Sequence, residues 1–267
     1  MRDISDMPRE VAAAVSVVFT DIDDTLTTEG RLFANAYQAL EDLDAAGIAV
    51  VPVTGRPAGW CDLIARFWPV RGVVGENGAF YYAYDTATHT MIRKIHPALA
   101  PHLARPDRFD RIRARVAAEV PGAAVSADQA FRLADLAIDF CEDVAPLPPE
   151  AVDRIKAIFE EEGAIAKVSS IHVNGWFGTY DKLTMAREFA TDRLGLDIDA
   201  QNATVLFVGD SPNDAPMFGF FDNSCGVQNV RDFEGRLSAS PTWIARARGA
   251  SGFCEISSHV LAARRHE

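Results

Sequence analysis

VVFTDIDDTLTTEG, residues 17–30, is an apolar run that stops at Thr20 and is followed by three aspartates within four positions, Asp21, Asp23 and Asp24. Residues two apart in a strand face the same side, and just past the end of a strand Asp21 and Asp23 can still reach one pocket. Two close carboxylates repel each other and need a cation or a shared proton. Mg²⁺ is the natural cation, because it takes oxygen ligands and keeps several waters.

Three further apolar runs also end in polar residues: residues 48–53 before Thr54, residues 72–75 before Glu76-Asn77-Gly78, and residues 203–208 before Gly209-Asp210. Such β-branched, nearly continuous runs are typical of strands that are buried on both faces of a parallel sheet. Helical patterns lie between them, at residues 34–47, 57–68 and 182–195. The alternation predicts an α/β fold with a doubly wound, Rossmann-like parallel sheet. Ligands bind at the carboxyl ends of the strands in such sheets, which is where these polar residues lie.

The middle of the chain has a different pattern. It predicts, in order, a helix at residues 107–120, a strand at 133–140, a helix at 149–162 and one long strand at 164–178. Neither strand ends in a polar cluster like those described above. We therefore expect a catalytic core formed by residues 1–84 and 180–267, with residues 85–179 inserted as an α+β cap over the sheet.

The composition narrows the possible partners. The 267 residues are 48% hydrophobic and carry a formal net charge of −12, which predicts a large core and argues against nucleic acid or an anionic membrane as a partner. An anionic small molecule stays compatible, because a metal can reverse the field inside one pocket. The four cysteines form no CxxC pair and MRDISDMPRE lacks the apolar core of a signal peptide, so a reduced, cytoplasmic chain is expected. No run reaches ~18 apolar residues, so no membrane span is expected.

Carboxylates, a hydroxyl and an amine are predicted to meet at the strand ends. The segment VGDSPND, residues 208–214, adds Asp210 and Asp214, Thr54 supplies a hydroxyl, and Lys182 opens a later helix. This set suits a phosphoryl group, since a metal and a lysine neutralise its oxygens while a carboxylate attacks phosphorus.

Four motifs, in this order, resemble those of the haloacid dehalogenase superfamily of phosphohydrolases. They are DxDxT at residues 21–25, Thr54 after an apolar strand, Lys182, and GDxxND at residues 209–214. The segment GENGAF, residues 75–80, and the large insertion between Thr54 and Lys182 resemble the subfamily IIB branch, which has a C2-type cap. That branch includes sucrose-phosphate, trehalose-phosphate and mannosyl-3-phosphoglycerate phosphatases, and also phosphomannomutases.

The resemblance implies a catalytic role for each matching residue. Asp21 would attack phosphorus and become an aspartyl phosphate. Asp23 would protonate the leaving alcohol and then activate the water that hydrolyses the intermediate. Thr54 would hydrogen-bond the phosphoryl oxygens, and Lys182 would neutralise Asp21 and those oxygens.

The resemblance also implies a Mg²⁺ site. Asp21, Asp210 and the backbone carbonyl of Asp23 would hold the ion. Asp214 would be a further ligand or would orient the ligands, and Asn213 would orient the metal shell or its waters.

Contacts to the rest of the substrate are expected from four polar residues. Arg56 is a candidate contact to an anionic substrate, the alternative being a simply exposed side chain. Asn77 lies at a strand end, although Asn-Gly is also a plain turn signal. In IHVNGWFG the side chains of His172, Asn174 and Trp176 alternate and share one face of a strand. Two polar groups and an indole suit a sugar; the alternative is a half-exposed sheet face.

Asp24 departs from the family pattern. Many members of the superfamily carry glycine there, which tolerates unusual backbone angles. Aspartate tolerates turns better than most residues, so we expect the chemistry to remain intact. The following residues, 25–30, are expected to form a small flap under the cap.

The leading hypothesis is a Mg²⁺-dependent phosphomonoesterase that forms an aspartyl phosphate and acts on a small phosphorylated sugar or related metabolite. A phosphomannomutase-like sugar phosphomutase is the alternative, because it needs the same carboxylates. A binding protein that kept the fold and lost turnover is a third possibility, against which stands the presence of Asp21, Asp23, Lys182 and Asp210.

Overall fold

The protein is seen in a computed structural model that describes residues 1–103 and 107–264. Its strands are β1 (Arg2–Asp3), β2 (Val17–Thr20), β3 (Ala49–Pro52), β4 (Val73–Gly75), β5 (Phe80–Asp85), β6 (Thr90–Ile95), β7 (Ala124–Val125), β8 (Asp135–Asp139), β9 (Ile165–Val168), β10 (His172–Trp176), β11 (Val205–Gly209), β12 (Asn223–Gly226) and β13 (Trp243–Ile244). Its helices are α1 (Arg9–Ala14), α2 (Ala34–Ala45), α3 (Ala58–Phe67), α4 (Ala100–Leu103), α5 (Arg108–Glu119), α6 (Pro149–Glu161), α7 (Lys182–Phe189), α8 (Ala215–Phe220) and α9 (Gly249–Arg264).

A parallel sheet forms the centre of the fold. Its strand order is β1-β13-β12-β11-β2-β3, and every neighbouring pair is parallel. Val18 of β2 packs in one apolar cluster, and Val17 and Phe19 pack in the other, so the sheet is covered on both faces, as the continuous apolar runs indicated. The predicted fold class is confirmed. None of the described helices combines the length and the apolar character that a membrane-spanning helix requires.

The third predicted strand, β4, joins a different sheet. It pairs antiparallel with β5, which pairs antiparallel with β6, and it reaches the central sheet through a single parallel bridge between Val53 and Val74. The expected start of the cap at residue 85 falls within the hairpin formed by β5 and β6. The boundaries 1–84, 85–179 and 180–267 stay a prediction.

A second antiparallel sheet, of order β7-β8-β10-β9, forms the middle of the chain. Helices α5 and α6 cover one of its faces, where Ile112, Ile155 and Phe159 pack against Leu136 and Val173. This is the α+β arrangement that the sequence indicated for this segment.

The single long strand predicted at residues 164–178 is wrong. Two strands, β9 and β10, pair there as an antiparallel hairpin. The chain turns at Ser169, whose hydroxyl accepts the backbone N–H of His172 at 3.0 Å while its own N–H donates to the His172 carbonyl at 2.9 Å. Serine hydroxyls can close a turn in this way without glycine or proline, which is why the apolar pattern alone missed the break.

Candidate active site

The candidate site lies where three neighbouring parallel strands end. Asp21 follows β2, Asp210 follows β11, and Thr54 lies shortly after β3. Val208 and Pro52 are both in register with Thr20, so the three strand ends lie side by side. All three functional side chains are buried, and the local sequence therefore delivers them to one place.

Three buried carboxylates form a compact group. Asp21, Asp210 and Asp214 each offer one oxygen, and these oxygens lie within 4.8 Å of one another. The Nζ atom of Lys182 lies 2.9 Å from Oδ1 of Asp21 and 2.8 Å from Oδ1 of Asp214. Lys182 is the first residue of α7. Asp181 caps that helix, because its carboxylate accepts the backbone N–H of Thr184, the third helical residue. Because a single ammonium faces three carboxylates, the group keeps an excess of negative charge.

The two oxygens of Asp214 are already engaged. While Oδ1 accepts from Lys182, Oδ2 accepts the backbone N–H groups of Asp210 at 3.0 Å and Ser211 at 3.3 Å. A Cβ atom on Gly209 would lie 2.4 Å from the same Oδ2, so only glycine fits before Asp210. Asp214 is thus placed to fix Lys182 and the loop.

Asp210 has an oxygen to spare. Its Oδ1 accepts from the hydroxyl of Thr25 at 3.2 Å, whereas its buried Oδ2 has no hydrogen-bond partner among the described residues. A buried carboxylate oxygen without a partner is costly. A hard cation between Asp21 and Asp210 would satisfy it, so the residues present fit Mg²⁺.

Burial also dominates the titration of this group. Loss of solvation raises the pKa of Asp21 to about 7, against the opposing effect of Lys182. The same loss of solvation, together with the charge of Asp214, raises the pKa of Asp210 well above its ordinary value. A cation at these carboxylates would favour their ionised forms.

The side chain of Asp23 lies outside the three-carboxylate group. Both of its oxygens lie 3.0 Å from Nε of Arg56, and Oδ1 also lies 2.8 Å from Nη2. The Arg56 side chain is only 3% exposed. The anionic contacts of Arg56 in this structure are the protein's own carboxylates, which also include Glu142 at 2.7 Å and Asp128 at 3.6 Å.

Glu142 is a site residue that the sequence reasoning missed. Its Oε2 lies 3.0 Å from Nε2 of His172, and its loop is held by Asp139, whose carboxylate accepts the backbone N–H groups of Cys141, Glu142 and Asp143. Burial opposes ionisation, but the interactions with His172 and Arg56 outweigh it and lower the pKa of Glu142 to about 2.

The expectation that no strand of the middle segment ends in a polar cluster is therefore wrong. Strand β8 ends at Asp139, and the acidic pair Glu142-Asp143 begins three positions later. This is the same signal that marked the ends of β2 and β11.

Two of the three alternating residues on β10 reach the site. His172 and Asn174 line a small pocket together with Asp21 and Asp23, and Nδ2 of Asn174 donates to Asp135 at 2.9 Å. Trp176 does not reach it, because its ring is buried against Tyr180 and its Nε1 donates to the Tyr180 carbonyl at 3.2 Å. The interpretation of Trp176 as an open ring face for a sugar is wrong.

The remaining predicted residues surround this pocket. The hydroxyl of Thr54 accepts the backbone N–H of Arg56 at 3.0 Å, which leaves its own proton free to donate. Asn213 lines the pocket. The buried Nδ2 of Asn77 has no hydrogen-bond partner among the described residues, and this side chain lies against Gly55, where a Cβ would be 3.2 Å from it.

Asp24 adopts φ +54°, in the left-handed region. This is the backbone conformation that glycine would tolerate at the position where the family pattern has it. Asp24 lines a cleft of about 540 Å³ beside the pocket, and burial raises its pKa.

Glu76 connects the central layer to the segment that leads into β8. Sequence reasoning also missed this connection. Its buried carboxylate accepts backbone N–H groups from Ala58 at 3.0 Å, Leu133 at 2.8 Å, Ala134 at 2.6 Å and Asp135 at 3.2 Å. The sequence indicated a strand end or a turn at Glu76 but not these contacts, because its partners in the middle segment are far along the chain.

The pocket between the layers is nearly filled. Its free volume is about 10 Å³, which is room for roughly one water molecule. A substrate can bind there only if the two layers separate.

Comparison with known proteins supports the resemblance that the motifs indicated. Residues 18–104 match the family model described as haloacid dehalogenase-like hydrolase. No curated protein matches the chain significantly. Together with the fold, the family match confirms the resemblance.

Three solved structures share the fold over nearly their whole length. A protein from Thermoplasma acidophilum is 18% identical with a TM-score of 0.67, and the match covers 92% of this chain and 98% of that one. The sucrose-phosphatase from Synechocystis, in complex with sucrose and phosphate, is 17% identical with a TM-score of 0.61, covering 91% and 97%. A sugar phosphatase described as haloacid dehalogenase subclass IIB is 14% identical with a TM-score of 0.62, covering 92% and 98%.

Proposed function

We propose that this chain, which resembles the haloacid dehalogenase-like hydrolases, is a Mg²⁺-dependent phosphomonoesterase. It would act through an aspartyl phosphate on a small phosphorylated sugar or related metabolite. The observation that carries the proposal is the buried group in which Lys182 lies 2.9 Å from Asp21 and 2.8 Å from Asp214. The sugar class is supported by structural neighbours that are named sucrose-phosphatase and sugar phosphatase.

The cation would be held by Asp21 and Asp210, with the backbone carbonyl of Asp23 as the resemblance implies. When bound, Mg²⁺ supplies positive charge that balances these carboxylates and the phosphoryl oxygens. Asp214 has both oxygens engaged, so we assign it the positioning of Lys182 and not direct coordination.

The chain's own residues carry the two chemical steps. In the first, an oxygen of Asp21 bonds to phosphorus, the bond from phosphorus to the alcohol oxygen breaks, and Asp23 gives that oxygen its proton. In the second, Asp23 takes a proton from a water whose oxygen bonds to phosphorus, which frees the Asp21 carboxylate and releases phosphate. Lys182 balances charge on Asp21 and the phosphoryl oxygens, and the Thr54 hydroxyl donates to them.

The antiparallel module that contains β8 and β10 acts as the cap in this proposal. His172 and Asn174 project from it into the pocket, and closure excludes bulk water from the intermediate. We propose the cytoplasm as the location, which the four unpaired cysteine thiols support.

Phosphate release from an aryl phosphate and from a panel of hexose and disaccharide phosphates, with and without Mg²⁺, tests the proposal. We expect release that needs Mg²⁺ and that Asp21→Asn abolishes. Asp222→Asn is the matched control, because Asp222 is exposed and lies before β12, at the end of the sheet away from the site.

The same panel separates the alternatives. Conversion of a hexose 1-phosphate to its 6-phosphate without free phosphate would identify a phosphomutase. An absence of any turnover in a folded protein would favour a binding protein.

A further inference from the structure

Lys167 of β9 lies on the face of the cap sheet that is turned toward the catalytic pocket. It is in register with Asn174 of β10, and side chains directly opposite each other on paired strands share a face. Asn174 lines the catalytic pocket. The neighbours of Lys167 in the strand, Ala166 and Val168, point the other way and pack in the apolar core of the cap.

Among the residues that the structure describes, Lys167 has no ion-pair partner. The other three lysines of the chain do: Lys94 lies 2.6 Å from Asp192, Lys156 lies 3.5 Å from Glu160, and Lys182 pairs with Asp21 and Asp214. Lys167 is half-buried, so its charge is neither matched by a carboxylate nor fully solvated.

Lys167 lines a cleft that meets the catalytic pocket at Asn213. This cleft has a volume of about 740 Å³ and is lined by Lys167 and by Asn213, which also lines the catalytic pocket. Its other cations are matched, since Arg236 lies 3.0 Å from Asp153 and Lys156 is paired. Lys167 is thus the source of unbalanced positive charge in the described lining.

A second cleft, which shares Asp23 with the catalytic pocket, has a negatively charged lining. It is about 540 Å³ and is lined by four carboxylates, those of Asp23, Asp24, Glu29 and Glu142. No lysine or arginine is among its described lining residues. A negatively charged group would be repelled there and attracted toward Lys167.

We propose that Lys167 binds a second negatively charged group, a carboxylate or phosphate, on the leaving group of the substrate. The proposal rests on the proposed phosphomonoesterase function and names a substrate class within it. With the reacting phosphoryl group at Asp21 and Lys182, the rest of the molecule passes Asn174 and Asn213 and places its anion at Lys167. Lys167 is in this view a specificity-determining residue of the cap.

Two substrates that differ in a single group test the proposal. Sorbitol 6-phosphate and 6-phosphogluconate differ only at carbon 1, which is a hydroxymethyl group in the first and a carboxylate in the second. We expect the wild-type kcat/KM to be about tenfold or more higher for 6-phosphogluconate than for sorbitol 6-phosphate, since the free energy of a hydrogen bond to a charged group corresponds to a factor of that order. Lys167→Met should remove this preference, mainly by raising KM, and Lys167→Arg should keep it.

Lys156→Met is the matched control. Lys156 lines the same cleft but is paired with Glu160, so its loss should leave the preference for the carboxylate in place. An equal kcat/KM for the two substrates in the wild type, or a preference that survives in Lys167→Met, would overturn the role of Lys167. If an aryl phosphate is still hydrolysed in that case, the proposed phosphatase function stands; if no phosphate ester is hydrolysed, both proposals fall.

Discussion

Arg56 and Glu142, which are 86 positions apart in the sequence, meet across the two layers of the protein with Nη2 and Oε1 2.7 Å apart. The same guanidinium holds Asp23, the proposed proton carrier. Glu142 in turn lies 3.0 Å from His172. A chain of polar contacts therefore runs from His172 on the cap strand β10 through Glu142 and Arg56 to Asp23 at the edge of the sheet.

Glu142→Gln should weaken this bridge and lower the free energy of unfolding by about 1 kcal/mol at neutral pH, because the side chain keeps part of its exposure. The pKa of Glu142 is lowered to about 2 in the folded protein. Its stabilisation is therefore fully present above about pH 4.5 and is lost as the pH falls toward about 2. Chemical denaturation of both proteins across this range measures the difference, with Asp143→Asn as control. A difference that does not change with pH would contradict the assignment.

Glu76 should give stability the opposite pH dependence. Burial and the nearby Asp135, opposed by backbone N–H donors, raise the pKa of Glu76 to about 8. The folded state then holds a proton that the unfolded state loses near pH 4.5, so this contribution to stability falls as the pH rises from about 4.5 to about 8. The stability difference between wild type and Glu76→Gln should shrink over that range. If urea denaturation gives a difference that stays constant or grows over that range, Glu76 is already ionised in the folded protein.

Asp210→Asn and Asp214→Asn should affect activity differently. Asp210 has a free oxygen for a cation, so its substitution should raise the Mg²⁺ concentration needed for half-maximal rate by about tenfold or more. Asp214 holds Lys182, so its substitution should lower kcat by about a hundredfold while the Mg²⁺ requirement changes less. Rates measured over a Mg²⁺ titration separate the two effects. Equal shifts in the Mg²⁺ requirement would make both residues ligands.

Mg²⁺ should raise the thermal midpoint of the wild-type protein without any substrate present. A ligand that binds only the folded state stabilises it, by about 2.7 kcal/mol at one hundred times its dissociation constant. The shift should be absent in Asp210→Asn and should be reversed by a chelator. Scanning calorimetry provides this test independently of turnover, and an equal shift in both proteins would place the ion elsewhere.

The local part of the fold and site could be predicted from sequence. The end of β2 and the segment GDSPND are short patterns in which strand, turn and functional side chain lie within a few residues, and the parallel sheet then brings them together. Lys182 follows the same logic, because it is the first residue of α7 and its side chain contacts Asp21 just after β2.

The contacts between the layers could not be predicted. Glu76 binds backbone groups of residues 133–135, and Arg56 binds Glu142. These pairs depend on how one layer rests on the other, which no local periodicity encodes. The contact of Arg56 to an anionic substrate stays a prediction, and pattern alone could not indicate that Arg56 binds carboxylates of the same chain.

The pocket of about 10 Å³ also bears on how the intermediate is hydrolysed. An aspartyl phosphate is a mixed anhydride, which reacts with any nucleophile that reaches it. A phosphoryl group needs more room than the roughly one water that this closed space holds, so in the proposed reaction the layers stand further apart in the intermediate than in this structure. How far they close again would decide whether only water or also an alcohol reaches the phosphoryl group. Cavity size, rather than any one side chain, would then set the balance between hydrolysis and transfer, and a larger pocket should make a better transferase.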